Sequence, residues 1–234
     1  GLTAVPVGRW LKIAQPDPQG VLIAGAHIWA RDIAHALKAE GFSALLIDTN
    51  PANIAAARRA DLPGLQANIA SDYLTNEIDL VGIGRLLALT SNDEVNSLAA
   101  LHFTELFGRA DVYQLPLRGT NRSETVSRPL HGRLLFAPNM THNELTRRFL
   151  AKATIQKLNL TDAFNYNDFR EFYGDKVIPL FLIDQAGYLY IFTAEGDLVP
   201  EPGQALIVLV DVSIEGQLVD APSTVVNHEI ADDR

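Results

Sequence analysis

Six consecutive residues, Gly25-Ala26-His27-Ile28-Trp29-Ala30, follow a short apolar run and open an amphipathic stretch. They carry the first and last small residues of the dinucleotide pattern G-x-G-x-x-[GA], in which glycine permits the tight turn and helix N–H groups receive phosphate. His27 stands where the middle glycine lets backbone approach a pyrophosphate. Asp48 closes the next apolar run, 23 residues after Gly25. A carboxylate there can accept hydrogen bonds from ribose hydroxyls, but an aspartate after a strand is equally a turn or capping residue, and spacing alone leaves both open. The imidazole of His27 titrates near neutrality, yet the sequence assigns it no carboxylate partner, so a structural or phosphate-facing histidine is expected rather than a catalytic one.

Other chemistries lack their residues. The chain has no cysteine, which excludes disulfides, thiolate metal sites and cysteine nucleophiles. Its six histidines are scattered, and His142 with Glu144 lacks the i, i+4 geometry of a helical metal site, so no metal is expected. Neither a G-x-S-x-G elbow nor a G-x-x-x-x-G-K-[ST] loop is present. No nucleophile, base and orienter assemble, and the chain is not expected to be an enzyme.

The elements that must position the turn follow from periodicity. Val21–Ala24, Ala44–Ile47, Leu65–Ile69, Arg85–Leu89 and Val112–Leu115 read as strands, and Ala30–Glu40, Ala52–Ala60, Asp72–Ile78 and Asp93–Phe107 as the helices between them. Continuously apolar strands separated by helices are buried on both faces, which predicts a doubly wound, Rossmann-like α/β parallel sheet. After a connection over 118–131 a small α+β domain is expected at 132–213. It combines a helix over Thr141–Ala151 with strands at Arg133–Phe136, Thr154–Leu158, Val177–Ile183, Leu189–Phe192 and Ala205–Val210. Residues 1–19 read as a linker, 20–117 as the first domain, and 214–234 as a loose acidic tail.

A net charge of −9 with no basic cluster argues against nucleic acid and against adhesion to anionic lipid. No apolar run approaches the roughly 20 residues a bilayer demands, so this stretch is expected to be soluble, without lipid insertion of its own.

Residues 20–116 resemble the potassium-transport nucleotide-binding domain, the N-terminal part of RCK regulators (TrkA-N-like). The likeness is carried by Val21-Leu22-Ile23-Ala24-Gly25, by Leu46-Ile47-Asp48-Thr49-Asn50-Pro51, and most specifically by Leu89-Thr90-Ser91-Asn92-Asp93-Glu94-Val95-Asn96. The resemblance implies that Gly25, His27 and Ile28 face phosphate, Asp48 faces ribose, and Thr90, Asn92 and Asn96 form the far rim. Ala26, Trp29, Thr49 and Asn68 complete the implied cofactor-binding set. Two departures stand out: His27 replaces the middle glycine, and Ala67-Asn68 replaces a Gly-Asp pair, so an amide stands where a carboxylate would meet adenine. NAD(H), AMP, another adenine nucleotide or no ligand at all remain open.

The flanks narrow the resemblance. Gly1-Leu2-Thr3-Ala4 with Arg9-Trp10-Leu11 is similar to the cytoplasmic end of the last membrane helix of bacterial sodium/proton exchangers. Gly132-Arg133-Leu134-Leu135-Phe136, Pro179–Asp184 and Pro202–Leu206 resemble the extra domain of such exchangers. The resemblance implies the regulatory tail of a cation/proton antiporter on the cytoplasmic face of the plasma membrane. It further implies that the tail pairs with a second copy through the Rossmann-like domain and gates transport in response to an adenine nucleotide. The rivals are an assembly module with a decayed nucleotide site and, further off, an NAD-dependent oxidoreductase.

Overall fold

The computed structural model describes residues 18–71, 78–117, 132–196 and 198–214. The expected linker up to residue 17, most of the short helix over 72–78, the connection over 118–131 and the tail from 215 lie outside the described residues.

In chain order the first unit comprises β1 (Gly20–Ala24), α1 (Ile28–Ala39), β2 (Ala44–Asp48), α2 (Pro51–Arg59), β3 (Gly64–Gln66), β4 (Ile83–Ala88), α3 (Asp93–Phe107), β5 (Val112–Gln114) and β6 (Arg133–Leu134). The strands form one sheet in the order β3-β2-β1-β4-β5-β6, and every pairing is parallel. The α/β, Rossmann-like expectation is met. The order reverses between β1 and β4, so a crevice opens beyond their C-terminal ends. All five residues of β1 are buried, as a central parallel strand requires.

The second unit comprises α4 (His142–Leu150), β7 (Thr154–Asn159), α5 (Tyr166–Tyr173), β8 (Val177–Ile183), β9 (Leu189–Ile191) and β10 (Ala205–Val210). Its sheet is antiparallel in the order β7-β10-β8-β9. Helix α5 is not among the sequence expectations. Its marker is a capping box: the Asn165 side chain accepts from the Asn167 and Asp168 N–H groups, and Asp168 accepts from Asn165 N–H. The helix is short and rich in aromatics, which blurs its period.

The strand expected to open the second unit belongs to the first sheet. β6 pairs in parallel with β5 at Tyr113–Arg133 and Gln114–Leu134. The chain then crosses over: Leu135 bridges Thr193, Phe136 N–H donates to the Phe192 carbonyl at 2.8 Å, and Ala194 N–H donates to the Leu134 carbonyl at 2.8 Å. An apolar run carries no label for the sheet it joins.

This stitching merges the cores. Val21 and Ile23 of β1 share one buried cluster with Ile33 and Leu37 of α1, and also with Ile178, Phe181, Ile207 and Leu209 of the second sheet. Their neighbours Leu22 and Ala24 face the opposite way, onto Ala99, Ala100 and Phe103 of α3. The period of two along a strand sends alternate residues to opposite faces. The far face of the second sheet packs Leu182, Leu206 and Val208 against Phe169 and Tyr173 of α5. No helix among the described residues is long and apolar enough to cross a membrane.

Candidate functional site

Gly25 ends β1 at a φ of +107°, a conformation that side-chain-bearing residues rarely adopt. The turn delivers His27 to the start of α1, where it is the N-cap without a side-chain hydrogen bond to the helix. The other α-helices among the described residues are each capped, by Asn50, Asn92, Thr141 and Asn165. α1 has no acidic residue in its first turn either. Its N-terminal dipole is left for an anion or water to satisfy.

The imidazole folds back over the turn. Its Nε2 lies 2.9 Å from the Leu89 carbonyl, and a Cβ placed on Gly25 would lie 3.3 Å from that nitrogen. Because a carbonyl only accepts, Nε2 carries the proton, and Nδ1 is left buried without a partner. Burial holds the pKa of His27 down to about 4, with the nearby His142 lowering it further and the Leu89 hydrogen bond opposing the shift. The ring is neutral at physiological pH and fills the space between the ends of β1 and β4.

Trp29 packs behind His27 against the second unit. It is 4% exposed, and its Nε1–H donates to Thr146 Oγ1 of α4 at 3.1 Å. Its ring centroid lies 4.1 Å from that of His27 and 5.3 Å from that of His142, with Phe149 stacked at 6.1 Å. Trp29 therefore packs against α4 and turns away from the crevice. Sequence reasoning had no means of naming Thr146 or His142 as neighbours of the turn, because the contacts span more than a hundred residues.

Asp48 braces the turn. It accepts from Ala26 N–H, Asn50 N–H and Asn53 Nδ2–H, each at 2.8 Å. A carboxylate offers about four acceptor positions, so about one is left for a ribose hydroxyl. The spacing argument left ribose contact and structural bracing open; the structure shows the bracing. Thr49 and Asn68 lie exposed at the tips of β2 and β3, with Asn68 Oδ1 accepting from Ala70 N–H in a local turn.

The block after β4 is self-contained. Asn96 is 1% exposed: its Oδ1 accepts from Thr90 N–H and Thr90 Oγ1–H, and its Nδ2 donates to the Thr90 carbonyl. Asn92 caps α3. The amide of Asn96 is thus turned inward to hold the loop, which removes it from ligand reach, while Thr90 and Asn92 remain at the surface of that loop.

Arg31 was not foreseen. Its Nη1–H donates to the Ala26 carbonyl at 2.6 Å, which sets a guanidinium against the turn beside Ile28, itself 67% exposed. His27 thus occupies the β4 side of the turn, and Thr49 and Asn68 are exposed on the β2 side. A cavity of about 680 Å³ lined by Phe42, Leu45, Leu62, Val81 and Ile83 opens at the other, N-terminal edge of the sheet, remote from the turn.

A parallel sheet with this reversal and a glycine turn at β1 defines a Rossmann-type unit. Within it, residues 21–116 match the family model of the TrkA-N domain. The chain is similar to the NAD(P)-binding domain of an exopolyphosphatase-related protein from Archaeoglobus fulgidus, at 15% identity and TM-score 0.44, covering 57% of this chain and 96% of that one. It is also similar to the GsuK RCK domain, at 13% identity and TM-score 0.41, covering 91% of this chain and 49% of that one. A GsuK channel bound to NAD is similar at 13% identity and TM-score 0.42, covering 88% of this chain and 39% of that one. The chain thus spans about half or less of the GsuK chains it resembles. No curated protein matches it.

Proposed function

We propose that this chain is a regulatory module of a cation/proton antiporter that responds to an adenine mononucleotide such as AMP in preference to NAD(H). The observation that carries this reading is the asymmetry of the crevice: the β4 side, where the second half of a dinucleotide would lie, is filled by His27 on the Leu89 carbonyl. The β2 side keeps Thr49 and Asn68 exposed. The TrkA-N match supports the nucleotide-regulatory class. The antiporter context is supported by the sequence likenesses at Gly1–Leu11 and in the second unit. Catalysis is no part of the proposal, because the side a nicotinamide would use is occupied by His27, with His142 5.1 Å away.

Regulation follows if nucleotide binding has unequal affinity for two arrangements of α1 against α4. The indole bond to Thr146 ties the two units beside the turn, and the Lys157–Glu40 ion pair at 2.7 Å ties them at the opposite end of α1. A ligand at the turn acts on this joint.

Isothermal titration of the protein with AMP, ATP, NAD and NADH is the test. AMP is expected to bind about tenfold or more tightly than NAD, and His27→Gly is expected to narrow that gap by clearing the β4 side. Equal affinities in the wild type would defeat the mononucleotide reading, and no heat with any of the four would leave an assembly module. Asp48, with its three internal donors, is the observation that favours that second reading.

The Rossmann-like unit is further proposed to pair with a second copy. Leu98 and Leu101, one turn apart on α3, are 55% and 49% exposed. Leu98→Glu combined with Leu101→Glu is expected to shift the mass in light scattering from dimer to monomer. A wild-type monomer at high concentration would remove this element.

A further inference from the structure

We propose that Arg31 reads the phosphate of the bound nucleotide, and so makes the site select a phosphate monoester over the bare nucleoside. The inference rests on the adenine-nucleotide reading above and adds the residue that decides specificity within it.

The fourth residue of α1 ordinarily points along the helix surface, but Arg31 folds back and donates to the Ala26 carbonyl, inside the glycine turn. A guanidinium carries five N–H donors, and this bond uses one of them. Among the described residues no carboxylate lies within ion-pair distance of it. The charges that act on it are its neighbour Asp32 and, from α2, the like charge of Arg59. Two cations and partial burial at a turn without a bridging acid form an arrangement that a dianion relieves. Burial lowers the proton affinity of Arg31, Asp32 opposes that shift, and the like charge of Arg59 adds to it.

The turn also needs a side-chain donor. A middle glycine would let phosphate lie against backbone N–H groups, but His27 occupies that space. Ala26 N–H is already committed to Asp48. What remains beside the solvent-reachable Ile28 is an uncapped helix start and a planar donor fork, which matches phosphate oxygens in pairs. The neighbouring Asp48 carboxylate opposes an anion less than its charge suggests, because three N–H donors face it.

The experiment compares adenosine with AMP by isothermal titration on wild type, Arg31→Met and Arg31→Lys, with an unliganded thermal melt of each. Wild type is expected to favour AMP over adenosine by about tenfold or more, as a charged hydrogen bond provides. Arg31→Met is expected to bring the AMP-to-adenosine affinity ratio within about twofold of one, and Arg31→Lys, which keeps the charge without the fork, to give a ratio in between. The unliganded melt serves as the check that a variant is folded. If Arg31→Met destabilises the turn by freeing the Ala26 carbonyl, the lysine variant alone carries the comparison. An AMP preference that survives in Arg31→Met overturns the role of Arg31 and leaves the site reading standing. A wild type that binds neither ligand defeats the site reading and this inference with it.

Discussion

Trp29→Ala is expected to lower the free energy of unfolding by about 3–5 kcal/mol, the range for removing a large buried aromatic. The indole is 4% exposed and stacked at 12° on Phe149, so its loss opens a cavity between α1 and α4 that neither helix can close alone. For a chain of this size the melting temperature should fall by about 6–20 °C. Trp29→Phe separates the two contributions: it keeps most of the apolar contact but strips Thr146 of its donor at 3.1 Å, for an expected cost of about 1 kcal/mol beyond the smaller volume. Denaturant titration measures both. A Trp29→Ala melt within about 2 °C of wild type would show that the joint between the units does not depend on the indole.

The second large effect concerns two titrating groups on either side of Trp29, and it is visible only when one is removed. Burial holds His27 at a pKa of about 4, against 6.5 for an ordinary histidine. Between those values the unfolded chain binds more protons, so stability is lost as pH falls through that window, by up to about 3 kcal/mol. Burial raises Asp32 to a pKa of about 6 from 3.8, with the Arg31 charge opposing the shift. Here the folded chain binds more protons between 3.8 and 6, so stability is gained as pH falls, again by up to about 3 kcal/mol. The two contributions run in opposite directions over almost the same range and offset each other in the wild type. Asp32→Asn is expected to lose about 3 kcal/mol more than wild type between pH 6.5 and 4, and His27→Gln about 3 kcal/mol less. Urea titrations at pH 7, 5.5 and 4 report these slopes. Parallel slopes in all three proteins would mean that neither group changes protonation on folding in this window.

The offset bears on the proposed function, because His27 caps α1 and Asp32 lies in its second turn, at the end of the helix where the proposed ligand would sit. The charge that α1 carries there is set by burial, and any motion that exposes the turn returns both groups toward their ordinary values.

Apart from the short helix expected over 72–78, which lies outside the described residues, the order of β-strands and helices from Val21 to Leu115 is legible in the sequence because its evidence is local. Apolar runs of strand length, glycine at Gly25 and Gly41, and caps such as Asn92 and Thr141 each act within a few residues. α3 over Asp93–Phe107 and β8 over Val177–Ile183 fall where periodicity puts them. The turn at Gly25 and the acid at Asp48 are legible for the same reason: both positions follow from chain spacing between adjacent elements. The short α5 escapes because eight residues span barely two turns and their aromatics obscure the period.

The state of the crevice is not local. That His27 reaches Leu89, 62 positions away, that Trp29 reaches Thr146, 117 positions away, and that Arg31 turns back onto Ala26 depends on packing between elements. A side chain chooses its rotamer by the neighbours that exclude it from other space, and here those neighbours come from α4 and from the loop after β4. Sequence placed a glycine turn and a carboxylate at a sheet reversal. Tertiary packing alone determined that the carboxylate braces the turn, that the histidine lies on the Leu89 carbonyl, and that an arginine folds back onto the turn.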